Sequence, residues 1–164
     1  DGKEQLLTSS FLNTKEAEVV AEVVRNILQK QEIGIHQIGI ITAYEAQKQR
    51  LQMEINFQAK SNPQLFGIEQ NPEFMIQNNL VCDIQLIDES QGMSKDLVIL
   101  SCVRSNEKGY LGVLKDPRRM NTALTRARRG MIIIGDVNTL QRDGTWNNLV
   151  QFAKSNQAIL QYEQ

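Results

Sequence analysis

Metal-binding and redox-active residues are scarce in this sequence, which holds one histidine and two cysteines among 164 residues. Cys82 and Cys102 lie in apolar stretches. That placement fits buried free thiols in a reducing compartment and argues against a disulfide framework. His36 is far from both in sequence, so no metal ligands are assigned. No apolar run is long enough to cross a bilayer, and no membrane partner is expected. Also missing is a phosphate loop of the form Gly-x-x-x-x-Gly-Lys-Ser/Thr. Gly34 and Gly39 have the right separation, but Ile40-Ile41 follows. A self-sufficient NTPase site is therefore rejected, and Asp88-Glu89 is read as a loop motif rather than a magnesium-binding acidic box. The opening Asp1-Gly2-Lys3-Glu4 has neither an initiator Met nor a secretory pattern. The chain is thus expected to be an excerpt of a longer protein, in the cytoplasm or nucleus.

What is present is ordinary in bulk and uneven in detail. Hydrophobic residues make up 41% and charged residues 23%, as in a typical globular domain long enough to bury one core. The net charge of −1 hides an asymmetry: Arg104–Gly130 carries eight Lys/Arg against two Asp/Glu. A basic concentration of this kind suits either an anionic ligand or a solvated helix face.

Asn13 followed by Glu16 predicts a capping box. Ala17, Val20, Ala21, Val24, Ile27 and Leu28 then form one apolar helical stripe, with Gly34 as the expected stop. Strands are expected at Ile38–Thr42, Leu80–Ile87, Leu97–Cys102 and Met131–Gly135. Further helices are expected at about Glu45–Ala59, at Pro117–Arg129 and around Trp146–Lys154, with a short strand near Ala158–Leu160. The Asn-, Gln- and Pro-rich 60–79 stretch reads as a surface insertion. Buried branched strands alternating with amphipathic helices predict an α/β fold with a mainly parallel sheet covered on both faces. In such sheets ligands gather beyond the carboxyl ends of the strands.

Arg119, Thr122, Arg126 and Arg129 recur at spacings of three, four and three, away from the stripe Met120, Ala123, Leu124 and Ala127. Arginines fixed on a rigid helix suit phosphate, because guanidinium stays charged and offers a planar fork of donors. A solvent-facing ridge or an RNA-backbone contact fits the same spacing. Gln91-Gly92 marks a turn where backbone can approach a ligand closely, or an ordinary loop. Thr42 and Tyr44, at a strand-to-helix junction, offer a hydroxyl and a ring to a nucleic-acid strand, or simply pack.

In order, these segments resemble three motifs of one family. Gly39–Gln47 resembles motif IV, Asp88–Asn106 resembles motif V with its following strand, and Asp116–Gly130 resembles motif VI. The family is the up-frameshift (regulator of nonsense transcripts) group of superfamily 1 helicases, with senataxin-like relatives. The resemblance implies that residues 1–164 are the second RecA-like domain, three-layered, of a motor whose first such domain lies outside this chain. ATP with Mg2+ would be held mainly by that first domain, so the fragment alone is expected to be inactive. The resemblance makes Arg126 the arginine finger. It sets Gln91, Gly92, Arg119 and Arg129 on the nucleotide side, and Thr42, Tyr44 and Asp88 on the nucleic-acid side. It implies 5′-to-3′ movement on single-stranded RNA, or DNA, and regulatory protein partners. The chain departs from the family pattern at Ala43 (usually Pro), Ser90 (usually Phe), Met93-Ser94 (usually Arg-Glu) and Leu86 (usually a small hydroxyl residue). These departures motivate a second reading, a degenerate helicase domain serving as a non-hydrolysing RNA- or protein-binding scaffold. An unrelated α/β domain binding a phosphorylated metabolite is a third.

Overall fold

A computed structural model describes residues 2–7, 10–79 and 81–162. Its centre is a four-stranded parallel sheet in the order β4-β3-β5-β6, built from β3 (Ile38–Thr42), β4 (Asp83–Leu86), β5 (Lys95–Ser101) and β6 (Ala127–Ile134). Side chains alternate across the pleat. Ile38, Ile40, Ile84 and Ile99 face one core. Ile41, Val98, Leu100 and Cys102 face the other. Helices α1 (Thr14–Gln29) and α2 (Glu45–Ser61) cover the first face with Ala17, Val20, Val24, Leu51 and Ile55. Helices α4 (Pro117–Leu124), α5 (Val137–Leu140) and α6 (Gly144–Ser155) cover the second with Met120, Ala123, Leu140, Trp146 and Val150. The three-layer α/β expectation therefore holds. Cys82 and Cys102 are free, buried and on opposite faces of the sheet.

Several local expectations are corrected. Asn13 caps α1 by accepting from the Glu16 amide. The Glu16 carboxyl does not return the bond; it turns inward to Ser101 and Val103. Helix α1 ends near Lys30, with Gln31 left-handed at φ 57°, and Gly34 instead opens a 3-10 turn, Ile35–Gln37. Strand β4 is shorter than the expected Leu80–Ile87, and Leu80 lies outside the described residues. No strand forms at Ala158–Leu160, where Leu160 is exposed. The 60–79 segment is not confined to the surface. It carries helix α3 (Pro72–Gln77), and it buries Phe66, Ile68 and Ile76 in the first core. A hairpin of β1 (Gln5–Leu7) and β2 (Ser10–Leu12), not foreseen, precedes α1.

The largest correction concerns the arginine segment. Helix α4 stops at Leu124, and Arg126 leads directly into β6. Gly130 lies within that strand opposite Leu97. The register advances by three residues on β6 for two on β5 (Lys95↔Ala127, Leu97↔Gly130). That bulge falls at Arg128-Arg129, and both arginines lie against Asp96. The predicted single helical ridge is thus split between a helix and an edge strand.

Candidate functional site

Two surfaces emerge, one along the α4 flank and one at the carboxyl ends of the strands. The first is the α4 flank. The loop after β4 and helix α4 both cross the second face, tied together at each end. Near the carboxyl end, Arg119 donates to both oxygens of Asp88 at 2.9 and 2.8 Å. Near the amino end, the Lys95 amide donates to the Arg126 carbonyl at 3.2 Å. Gln91 and Gly92 lie between these ties, both exposed, with Gly92 at φ 94° and open space where a Cβ would stand. A left-handed residue with no side chain leaves its backbone open to a ligand.

Arg126 is half-buried. Its Nε donates to the Thr122 carbonyl at 2.9 Å and one Nη to the Thr125 hydroxyl at 3.0 Å. Its neighbours are ion-paired: Arg118 with Asp116, Arg119 with Asp88, while Arg128 and Arg129 share the single Asp96 carboxylate. The Gln37 amide, then Arg128, holds Asp96 below the usual carboxylate range. Of the arginines between 118 and 129, Arg126 alone has no carboxylate within ion-pair distance among the described residues. It is also not beyond the carboxyl ends of the strands, where the parallel-sheet rule looks for ligands, because β6 begins immediately after it. Asp88 and Arg119, assigned from the sequence to different ligands, occupy each other. Glu89 is likewise engaged, by Lys48 at 2.7 Å, and that bond chiefly lowers its pKa. Among the described residues no group of three or more His, Cys, Asp and Glu converges as a metal site.

The second surface is the carboxyl edge of β3, β5 and β6. Thr42 is fully buried and donates to the Ser101 carbonyl at 3.1 Å, so its hydroxyl cannot reach a bound strand. Tyr44 is half-buried; its hydroxyl donates to the Leu111 carbonyl and accepts from Arg104 Nη1, both at 3.3 Å. Phe11 meets the tyrosine ring edge-on, at 5.4 Å between centroids. Arg104 lies 4.0 Å above the Phe11 ring and makes a two-pronged pair with Glu4 at 2.8 and 3.0 Å. Gly112, at φ 58°, leaves room for the Tyr44 and Arg104 tips. Around this cluster, two adjoining clefts present exposed Lys108, Tyr110, Lys115 and Arg142. None of these three cations makes an ion pair among the described residues. Sequence reading assigned no role to Phe11, Glu4, Arg104 or Tyr110. Arg104 and Tyr110 fall in the basic segment, and Phe11 in the stretch Ser10–Asn13 that also fits the family, which were the available signals; the Glu4–Arg104 contact spans a hundred residues of chain and left none.

A family described as "AAA domain" matches residues 1–138. The chain is 38% identical over 98% of its length to the "Regulator of nonsense transcripts 1 homolog" of Drosophila melanogaster, of which it spans 12%. It is 32% identical over 91% of its length to the "ATP-dependent helicase NAM7" of Saccharomyces cerevisiae, spanning 14% of that protein. To the "Probable helicase senataxin" of Homo sapiens it is 31% identical over 98% of its length, spanning 5%. The chain belongs to this AAA-domain family, and within it is a helicase domain of the up-frameshift type of superfamily 1. It is a small part of the length of the relatives it matches. No helix among the described residues is long and apolar enough to cross a membrane.

Proposed function

We propose that the chain is the second motor domain of an ATP-dependent, 5′-to-3′ RNA (or RNA/DNA) helicase, with Arg126 as its arginine finger. The carrying observation is an anchored guanidinium, held by a backbone carbonyl and a hydroxyl, with no carboxylate at ion-pair distance among the described residues. Phosphoryl transfer spreads negative charge over the transferred group, and a fixed, uncompensated guanidinium stabilises that charge with little reorganisation. Gln91 and Gly92 fit the same nucleotide, since an open backbone turn on the same flank as that cation suits close approach of phosphate or ribose. Arg119 stiffens this turn through Asp88, and Arg129 gives a peripheral positive charge. Mg2+-bound ATP supplies the reacting phosphoryl group. Asp88 and Glu89 are both engaged by cations, which supports assigning the metal and the phosphate loop to a first RecA-like domain.

The carboxyl edge, with Tyr44 and Arg104 at its centre and Tyr110, Lys108, Lys115 and Arg142 around them, is the proposed track for single-stranded RNA. Cations bind the phosphates, and an exposed ring can stack on any base. In the full-length protein, Arg126→Ala is expected to lower RNA-stimulated ATP turnover by about 10³-fold or more while ATP affinity changes far less. Unchanged turnover overturns the assignment.

One observation favours the scaffold reading. Met93, standing where the family usually has Arg, is buried in the second core, with its sulfur beside Gly39. It can make no polar contact to a nucleotide. Wild-type protein that binds RNA yet shows no ATP turnover would favour that alternative.

A further inference from the structure

We infer that Glu16 is a positioning residue for the nucleic-acid edge: its carboxyl oxygen holds Val103 in a left-handed γ-turn and thereby aims Arg104 at Tyr44. The functional part of this inference rests on the RNA-track reading above; the structural part does not.

Val103 is a buried, β-branched residue at φ 69°. The Arg104 amide donates to the Cys102 carbonyl at 2.7 Å, across Val103. An i-to-i+2 bond around a positive φ is the strained form of the γ-turn, and a branched side chain makes it costlier. Such a conformation persists only where its surroundings impose it. Here they do. The Val103 amide donates to Glu16 Oε1 at 2.8 Å, and the Ser101 hydroxyl donates to the same oxygen at 2.6 Å. The Val103 carbonyl accepts from the Asn13 side chain at 3.3 Å.

The turn has a consequence for the edge. It reverses the chain just past β5, so that the next residue, Arg104, lies over Phe11 and reaches Tyr44. Tyr44 immediately precedes α2, and α2 is locked to the same network. Gln47 Nε2 donates to the Ser101 hydroxyl at 3.1 Å, and Gln47 Oε1 accepts the Asn13 amide at 2.8 Å. One acceptor oxygen thus fixes the turn bearing Arg104 relative to the helix that follows Tyr44. The required group is an oxygen acceptor, which an amide side chain also provides.

The test is a double-mutant cycle in the full-length protein, read by affinity for single-stranded RNA. Glu16→Leu is expected to weaken binding about tenfold or more, on the scale of the strain that the carboxyl group holds in place. Glu16→Gln should bind like wild type. In a Val103→Gly background, where the left-handed turn no longer needs imposing, Glu16→Leu should cost little further. A folded Glu16→Leu protein with wild-type affinity overturns the inference, as does an equal loss in both backgrounds. If Glu16→Leu does not fold, Ser101→Ala takes its place in the cycle under the same criteria. If the wild type binds no single-stranded RNA, the track reading falls. Amide exchange then decides the inference: Arg104 should exchange faster in Glu16→Leu than in Glu16→Gln, and equal rates overturn it.

Discussion

Burial raises the Glu16 carboxyl to about 7, against the pull of its bonds from Ser101 and the Val103 amide, and with a further upward push from Asp136. The folded state holds this proton more tightly than the unfolded state does, so the contribution is fully present at acid pH. It is lost as pH rises from about 4.5 through about 7. The predicted loss is up to about 3 kcal/mol. Urea unfolding across this range should show stability falling in the wild type and a flatter curve in Glu16→Gln; superimposable slopes would contradict it. A second prediction at this scale concerns Gly112. A Cβ there would lie 2.5 Å from the Tyr44 hydroxyl and 2.7 Å from Arg104 Nη1, on a backbone already at φ 58°. Gly112→Ala should therefore lower stability by roughly 1–3 kcal/mol and disturb both side chains. An unchanged thermal midpoint would refute this.

At the scale of elements, the fate of 60–79 is the clearest test of what builds the core. Phe66 is 1% exposed, in a stretch whose composition reads as loop. Phe66→Ala should destabilise by about 3–5 kcal/mol in denaturant unfolding, and a cost under about 1 kcal/mol would return the segment to the surface. The same comparison explains what the sequence could and could not disclose. The α1 stripe and the branched runs of β3 and β5 were legible because local periodicity and burial agree there. The boundary between α4 and β6 was not. Arg119, Thr122, Arg126 and Arg129 keep helical spacing, but the deciding partners, β5 and the Asp96 carboxylate, lie about thirty residues earlier. Glu16 was misread for a related reason: the capping-box pattern is local, while the carboxyl finds Ser101, 85 residues away. Thr42 was placed at the right strand end, but whether its hydroxyl points outward is set by the Ser101 carbonyl beside it. Motif order, not spacing, is what points to Arg126, within a segment whose helix stops earlier than its spacing suggests.

For the whole molecule, the fold lays out two surfaces of different chemistry. One flank carries both an anchored guanidinium, without a carboxylate partner among the described residues, and an open glycine turn. The carboxyl edge offers rings, and cations that make no ion pair among the described residues, around a fixed Tyr44–Arg104 pair. In the proposed motor the two surfaces take different ligands. RNA affinity that rests on Lys108, Lys115 and Arg142 should also fall with salt, because each phosphate contact releases counterions.

The most direct test compares Arg126→Ala with the double substitution Lys108→Ala/Arg142→Ala in the full-length protein. RNA affinity and ATP turnover at saturating RNA are measured in each. The account predicts that the first loses turnover and keeps RNA affinity, while the second loses RNA affinity and keeps turnover once RNA saturates. Equal damage to both activities in both proteins would contradict the assignment of two surfaces to two ligands.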